Sequence, residues 1–249
     1  MANDPIPAAT LVLFRDAGDG APELLMVERA KAMAFAGGAM VFPGGRIDPG
    51  DHALAEIIGD GEQDAAARVA AIRETIEEAG VAIGLSPCPS PQCLAAIRRR
   101  LHAGEAFGAI LSEEGLTLTL DALVPFARWL PAHPHMRIFD TLFFLARAPD
   151  DARATVDATE NVRLLWSTAA AMLATADAGR ATIIYPTRRN LERLALFGSY
   201  ADAVAQALAH PVRTITPFAE DREGTSYLCI PDDLGYPVTA EPMGAAMRG

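Results

Sequence analysis

The chain has 249 residues, 51% of them hydrophobic and 21% charged, enough to bury a sizeable core as one large domain or one domain with a decorated end. Thirty-two acidic against 21 basic side chains give a formal charge of -11. That balance provides no net attraction for a polyanion, so nucleic-acid and anionic-membrane partners are not expected, and any phosphate must be met locally. Cys88, Cys93 and Cys229 lack paired metal-type spacing and fit ordinary packing in a reducing compartment. Residues 1–7 carry no basic cluster ahead of an apolar run, and no apolar stretch is long enough to span a bilayer, so a soluble, cytoplasmic chain is expected.

In chain order, β-prone apolar stretches at 8–14 and 23–27 flank Asp16, Gly18, Asp19, Gly20 and Pro22, which predicts a hairpin. A Gly-rich loop follows through Gly37, Gly38 and Phe42 to Gly45, and the turn formers Asp48, Pro49, Gly50 and Asp51 predict irregular backbone. An alanine-rich helix is expected from near Gln63 to Ala79, with Val69, Ile72, Ile76 and Ala79 on one face and Gly80 as its stop. The Pro-rich 86–91 segment precedes expected helices at 92–102 and 105–114, with Arg98, Arg99 and Arg100 read as a solvated face. Strands are expected at 116–120, 138–145 and 162–166. Ser167 reads as the cap of a helix over 169–174, and Pro186 and Thr187 precede helices at 188–197 and 200–209. With no internal repeat, residues 1–249 read as one domain with a helical insertion at about 86–115 and a helical extension at about 186–249.

The expected glutamate helix carries the chemistry. Glu74, Glu77 and Glu78 stand at i, i+3 and i+4 on one face, opposite Val69, Ile72 and Ile76. Crowded carboxylates repel, and in the C-terminal turns the helix macrodipole disfavours them further. A solvated acidic face accommodates such a cluster, and so does a hard divalent cation, Mg²⁺ or Mn²⁺, that takes oxygen ligands and can polarise a phosphoryl oxygen or activate water. Arg73, four residues before Glu77 and adjacent to Glu74, is placed to orient a carboxylate.

With Gly44 and Gly45 upstream, the run Arg-Glu-Thr-Ile-Glu-Glu-Ala-Gly-Val from Arg73 to Val81 resembles the box of the Nudix hydrolase family. That box is a glycine, five residues, a glutamate, seven residues, then Arg-Glu-apolar-x-Glu-Glu-x-Gly-apolar, and Thr75 stands at its first apolar position. The resemblance implies that Glu74, Glu77 and Glu78 bind metal, that Glu74 also activates water, and that Arg73 fixes the geometry of the cluster. The first half departs from the pattern, because Gly45 to Arg73 spans 28 positions and the family's usual spacing is half of that. Counting forward puts Asp51 at the first box glutamate, whereas counting back puts Gly59 at the glycine and Ala65 at the glutamate.

Residues 25–30, Gly38 and Phe42 to Gly45 are similar to the upstream signature of the coenzyme A diphosphatase branch of the family, its peroxisomal animal members and bacterial relatives. Ala34 stands where that signature has its middle arginine, which leaves phosphate recognition to Arg29, Lys31 or another arginine. The likeness continues through 127–131, 137–141 and Pro186–Thr187. By this resemblance Arg29, Gly38, Phe42, Gly44 and Gly45 meet the substrate, and Glu160 is a candidate for an additional carboxylate from outside the box. Arg137 and Asp140 read equally as a surface ion pair or as substrate-facing residues, and His133 and His135 as loop residues within reach of a site.

The implied fold is α/β, a Nudix α/β/α sandwich with a mixed sheet and extra helices. The implied activity is Mg²⁺- or Mn²⁺-dependent hydrolysis of the diphosphate linkage of a nucleotide derivative, coenzyme A or acyl-coenzyme A foremost. NADH, ADP-ribose and nucleotide sugars are alternative substrates, and a non-catalytic nucleotide-binding module is the alternative class. A small-molecule nucleotide diphosphate is the expected partner, with no nucleic acid and no membrane; the oligomeric state is not legible.

Overall fold

The computed structural model describes residues 4–18, 20–33, 36–59, 61, 64–131, 138–156 and 160–246. In chain order the elements are β1 (Ile6–Arg15), β2 (Glu23–Arg29), β3 (Met40–Val41), β4 (Gly44–Arg46), α1 (Pro49–Ile58), α2 (Ala65–Ala79), β5 (Leu85–Ser86), α3 (Pro91–His102), α4 (Phe107–Glu113), β6 (Thr117–Leu118), β7 (Val124–Trp129), β8 (Phe139–Arg147), β9 (Asn161–Thr168), α5 (Ala169–Asp177), α6 (Tyr185–Leu194), α7 (Tyr200–Ala209), β10 (Thr214–Ile215), β11 (Phe218–Arg222), β12 (Thr225–Cys229), β13 (Ala240–Pro242) and α8 (Met243–Ala246). Gln63, Ala34, His133, His135 and Arg137 lie outside the described residues.

The main sheet is mixed. β1 runs parallel to β8 and antiparallel to β2, β7 is antiparallel to β8, and β9 is antiparallel to β2. β1 and β2 pair only at Phe14↔Leu24 and Arg15↔Glu23, then diverge. The fork between them is filled by the Met40–Arg46 chain, β3 pairing β2 and β4 pairing β1 at Ala8↔Arg46 through Thr10↔Gly44. The Phe42–Gly45 loop is thereby built into the sheet.

Strand side chains alternate between faces, and both faces of this sheet are covered. Leu11, Leu13 and Leu25 pack with α2, Leu54 of α1, and Ile97 and Ile110 of α3 and α4. Val12, Phe14, Leu24 and Met26 pack with Met172, Leu191 and Ala203 of α5, α6 and α7. The result is the expected α/β/α sandwich, with a three-stranded β11–β12–β13 sheet added at the C-terminal end. Among the described residues no helix is long and apolar enough to cross a membrane.

Four expectations are corrected. The 48–51 segment is the start of α1, because Asp48 is in an N-cap conformation, Pro49 occupies the first turn and the Asp51 carboxylate accepts the Asp48 N–H at 2.8 Å. The extension after residue 186 is helical only through α7. Beyond it, Arg222 pairs with Thr225 across Glu223 and Gly224, both at positive φ, a two-residue hairpin turn joining β11 to β12. Arg98–Arg100 is not one solvated face, since Arg98 is half-buried and bonds backbone carbonyls, while Arg100 pairs with Glu105 and Glu113. Pro186 and Thr187 lie inside α6 rather than ahead of it.

Candidate functional site

The helix α2 is not amphipathic in the expected sense, being enclosed on nearly every side by the sheet, α1 and α3. Thr75, at the apolar position of the motif, is fully buried, and its hydroxyl donates to Ala71 O at 2.7 Å, so a polar residue sits there without an unpaired group. Gly80 ends the helix at φ 65°, its N–H donating to Ile76 O.

Arg73 is the centre of the arrangement. Its Nε and Nη2 donate to the two oxygens of Asp51 at 2.9 and 2.8 Å, a bidentate fork. Nη2 also donates to Arg46 O at 2.9 Å, and Nη1 donates to Glu74 Oε1 at 2.8 Å and Glu77 Oε1 at 2.9 Å. Every guanidinium nitrogen is therefore engaged. Burial opposes the charge on Arg73, but Asp51, Glu74 and Glu77 more than offset it and raise its pKa further. Asp51 is 1% exposed; the residue that counting forward placed at the first box glutamate thus reaches Arg73 from the inserted helix α1.

The two glycines of the loop are required by close approach. A Cβ on Gly45 would lie 2.4 Å from Glu74 Cδ and Oε1, and one on Gly44 would lie 2.4 Å from Ala9 O. The Gly44 N–H donates to Glu78 Oε2 at 3.0 Å. Glu78 is 4% exposed, and its Oε1 has no hydrogen-bond partner, with Arg29 Nη1 3.9 Å away. Burial, reinforced by the Glu74 charge, pushes Glu78 up to about 8, against the opposing pull of Asn161, Gly44 and Arg29. Burial likewise pushes Glu74 up to about 7, with Arg73 opposing and Glu77 adding to the rise.

Arg29 projects to the α2 face, four residues on from Leu25. Opposite it the β2–β9 register shifts: Glu28 pairs with Arg163 but Arg29 with Asn161. The extra residue, Val162, stands exposed, and this bulge turns the fully buried Asn161 toward Glu78. Sequence reasoning missed Asn161, and a one-residue bulge leaves no signal without a register.

The remaining expected residues are distributed as follows. Gly38, at φ 79°, closes the β2–β3 turn through its N–H to Arg29 O. Phe42 is buried in the core on the α5 side, where it anchors the loop. Glu160 is exposed beside Asn161, its carbonyl accepting the Ala30 N–H at 2.7 Å. Asp140 pairs with Arg128, at 2.8 and 2.6 Å.

Among the described residues no group of three His, Cys, Asp or Glu side chains converges to hold a metal ion as placed, because Arg73 stands between Glu74 and Glu77. The donor set nonetheless suits a hard divalent cation: all-oxygen ligands, mutually repelling and mostly buried, with Glu78 Oε1 left without a hydrogen bond.

No protein-family model matches the chain. A Nudix hydrolase from Alicyclobacillus acidocaldarius is 30% identical, with a TM-score of 0.72, over 82% of this chain and 96% of that one. A MutT protein from Methanosarcina mazei Go1 (78% of this chain, 96% of that one) and a MutT NUDIX hydrolase from Burkholderia pseudomallei (76% and 98%) are each 15% identical with a TM-score of 0.43, too distant to support more. Identity at that level over nearly the whole of the Alicyclobacillus chain, on the same sandwich fold, shows that the chain belongs to the Nudix hydrolase family, diphosphate-cleaving enzymes that work with divalent metal ions.

Proposed function

We propose that this enzyme is a Mg²⁺- or Mn²⁺-dependent diphosphatase of coenzyme A or acyl-coenzyme A, with Glu74, Glu77 and Glu78 as the metal ligands. The observation that carries the site assignment is the Arg73 fork: Asp51 behind it, Glu74 and Glu77 in front, and Glu78 held by the Gly44 N–H beside them. A bound divalent cation supplies charge neutralisation at the phosphoryl oxygens and a lowered pKa for a coordinated water. The Glu74 oxygen that Arg73 does not hold, Oε2, accepts the proton of the attacking water. A P–O bond to that water forms, the bridging P–O bond of the diphosphate breaks, and the second phosphate leaves. Arg73 holds one oxygen each of Glu74 and Glu77, and Arg29 offers a phosphate donor on the same face. Glu160 is the additional carboxylate.

Gly38 borders a cleft of about 410 Å³ along β2 and β9, within the size range of small-molecule sites. Met40, Leu165 and Met172 line it, and Arg163 and Arg180 are its cationic members. Glu28 also lines it, none of its lining residues belongs to α2 or the Phe42–Gly45 loop, and the coenzyme A assignment rests on the 25–45 signature.

The test is a mass-resolved hydrolysis screen with each metal, offering coenzyme A, acetyl-coenzyme A, NADH, ADP-ribose and a nucleotide sugar to wild type and Glu78→Gln. Release of 4'-phosphopantetheine and 3',5'-ADP by wild type alone is the expected result. Cleavage restricted to the other diphosphates would overturn the coenzyme A assignment, and no cleavage at all would favour a binding module.

A further inference from the structure

The acidic residues of α2 are concentrated at its C-terminal end, where a helix leaves carbonyls unpaired and carries partial negative charge. Two of those carbonyls belong to Glu77 and Glu78 themselves, and both are met by one side chain from α3. Arg98 Nε donates to Glu77 O at 2.8 Å and Nη2 to Glu78 O at 3.0 Å. Its third nitrogen, Nη1, donates to Thr155 Oγ1 at 2.8 Å, and the Thr155 N–H donates to Ala79 O at 2.8 Å. Gly80 leaves room for this clamp: a Cβ there would lie 3.2 Å from Arg98 Nη1 and 3.1 Å from Thr155 Oγ1.

We infer that Arg98 is a positioning residue of the hydrolytic site, fixing the backbone of Glu77 and Glu78 and tying it to Thr155. The inference rests on the reading of these glutamates as metal ligands. A guanidinium presents its donors in a rigid planar fork and here satisfies two successive carbonyls and a hydroxyl at once, whereas an ammonium directs its three donors from a single nitrogen without that fork. The inserted helix α3 thereby has a task in the site without contacting substrate.

Charge and position predict opposite signs here. A cation near a metal site repels the metal, so removing Arg98 as a mere charge tightens metal binding. Removing it as a clamp frees the ligand backbone and weakens binding. The experiment is Mn²⁺ titration of Arg98→Gln and Arg98→Lys, followed calorimetrically, with hydrogen exchange of the metal-free proteins read at the Gly80 amide, and with kcat and KM on whichever diphosphate the wild type cleaves. Arg98→Gln is expected to weaken Mn²⁺ about tenfold, the effect of losing one charge-assisted hydrogen bond, to speed exchange at Gly80, and to lower kcat with little change in KM. Millimolar guanidinium is expected to restore Mn²⁺ affinity to Arg98→Ala.

Arg68→Gln is the comparison for plain destabilisation, because Arg68 anchors the other end of α2 to Leu120 O and Leu123 O. It is expected to lower Tm while leaving Mn²⁺ affinity intact. Tighter or unchanged Mn²⁺ binding by Arg98→Gln overturns the inference, and should that variant not fold, Arg98→Lys with wild-type affinity and exchange does so. Weakened Mn²⁺ binding in a protein that cleaves no diphosphate would sink the proposed substrate and keep the positioning role; absence of Mn²⁺ binding by wild type would overturn both.

Discussion

Replacing Asp51 with Asn keeps the size of the side chain and removes half of the fork that holds Arg73. Asp51 accepts from Arg73 Nε and Nη2 and from the Asp48 N–H, and it is 1% exposed. An amide offers one acceptor where two are used and turns an N–H toward a cation. Breaking a buried ion pair by removing one partner costs about 3–5 kcal/mol. Arg73 retains Glu74 and Glu77, so the lower end is expected, about 3 kcal/mol, read as a shift of the urea midpoint at unchanged m-value. The catalytic effect follows from the same geometry. Without Asp51, Arg73 no longer sits at a fixed depth, and its Nη1 contacts to Glu74 and Glu77 loosen. A loss of about 10- to 100-fold in kcat/KM is expected, the usual cost of removing a residue that orients metal ligands. A double-mutant cycle with Arg73→Gln should then give a coupling energy of at least about 1 kcal/mol. An Asp51→Asn protein within about 0.5 kcal/mol of wild type, the range of an ordinary surface substitution, and equally active would refute the role of Asp51 in holding Arg73.

Gly45→Ala places a methyl group 2.4 Å from the Glu74 carboxylate, so Glu74 must move; kcat is expected to fall about 100-fold, as for a misplacement of about 1 Å, and steady-state kinetics checks this. Arg163→Gln with Arg180→Gln is expected to raise KM for phosphorylated nucleotides at constant kcat, since both line the cleft beside Gly38 and neither touches the glutamates; an unchanged KM would exclude the cleft from recognition. Burial, helped by Glu241 and against the pull of Arg189, pushes Glu192 on α6 up to about 7. A raised carboxylate favours the protonated fold: its stabilising contribution is complete below the unfolded value and is lost as pH rises through about 7. Relative to wild type, Glu192→Gln should therefore gain stability between pH 5 and pH 8, and a pH-independent difference in urea midpoints would contradict this.

Much of the site was legible because its signals are local. Alanine-rich composition, the i, i+3, i+4 glutamates and Gly80 place α2 within a residue or two of its observed ends, since helix geometry relates residues only a turn apart. The glycines of the Phe42–Gly45 loop are readable as a Gly-rich loop, whereas their close approach to Glu74 and Ala9 is set by the packing of the loop against α2 and β1. The hairpin at Glu223–Gly224 has a weaker local signal, a two-residue turn ending in glycine before the β-prone run 225–229, because the charged 218–222 run ahead of it does not read as a strand.

What the sequence by itself determined was the reaction class and the helix that carries it. Only the tertiary structure decided which residues support that helix. Asp51 sits 22 positions from Arg73, and the two meet because α1 folds back against α2. The charge of Arg98 reads as solvated until α3 is laid across the end of α2. Asn161 reaches the Glu78 side of the sheet through a bulge that exists only in the register of β9 on β2. Sequence periodicity reports which face of an element is apolar; it carries no information on which other element lies against a charged one, and that pairing is set by how the whole core closes.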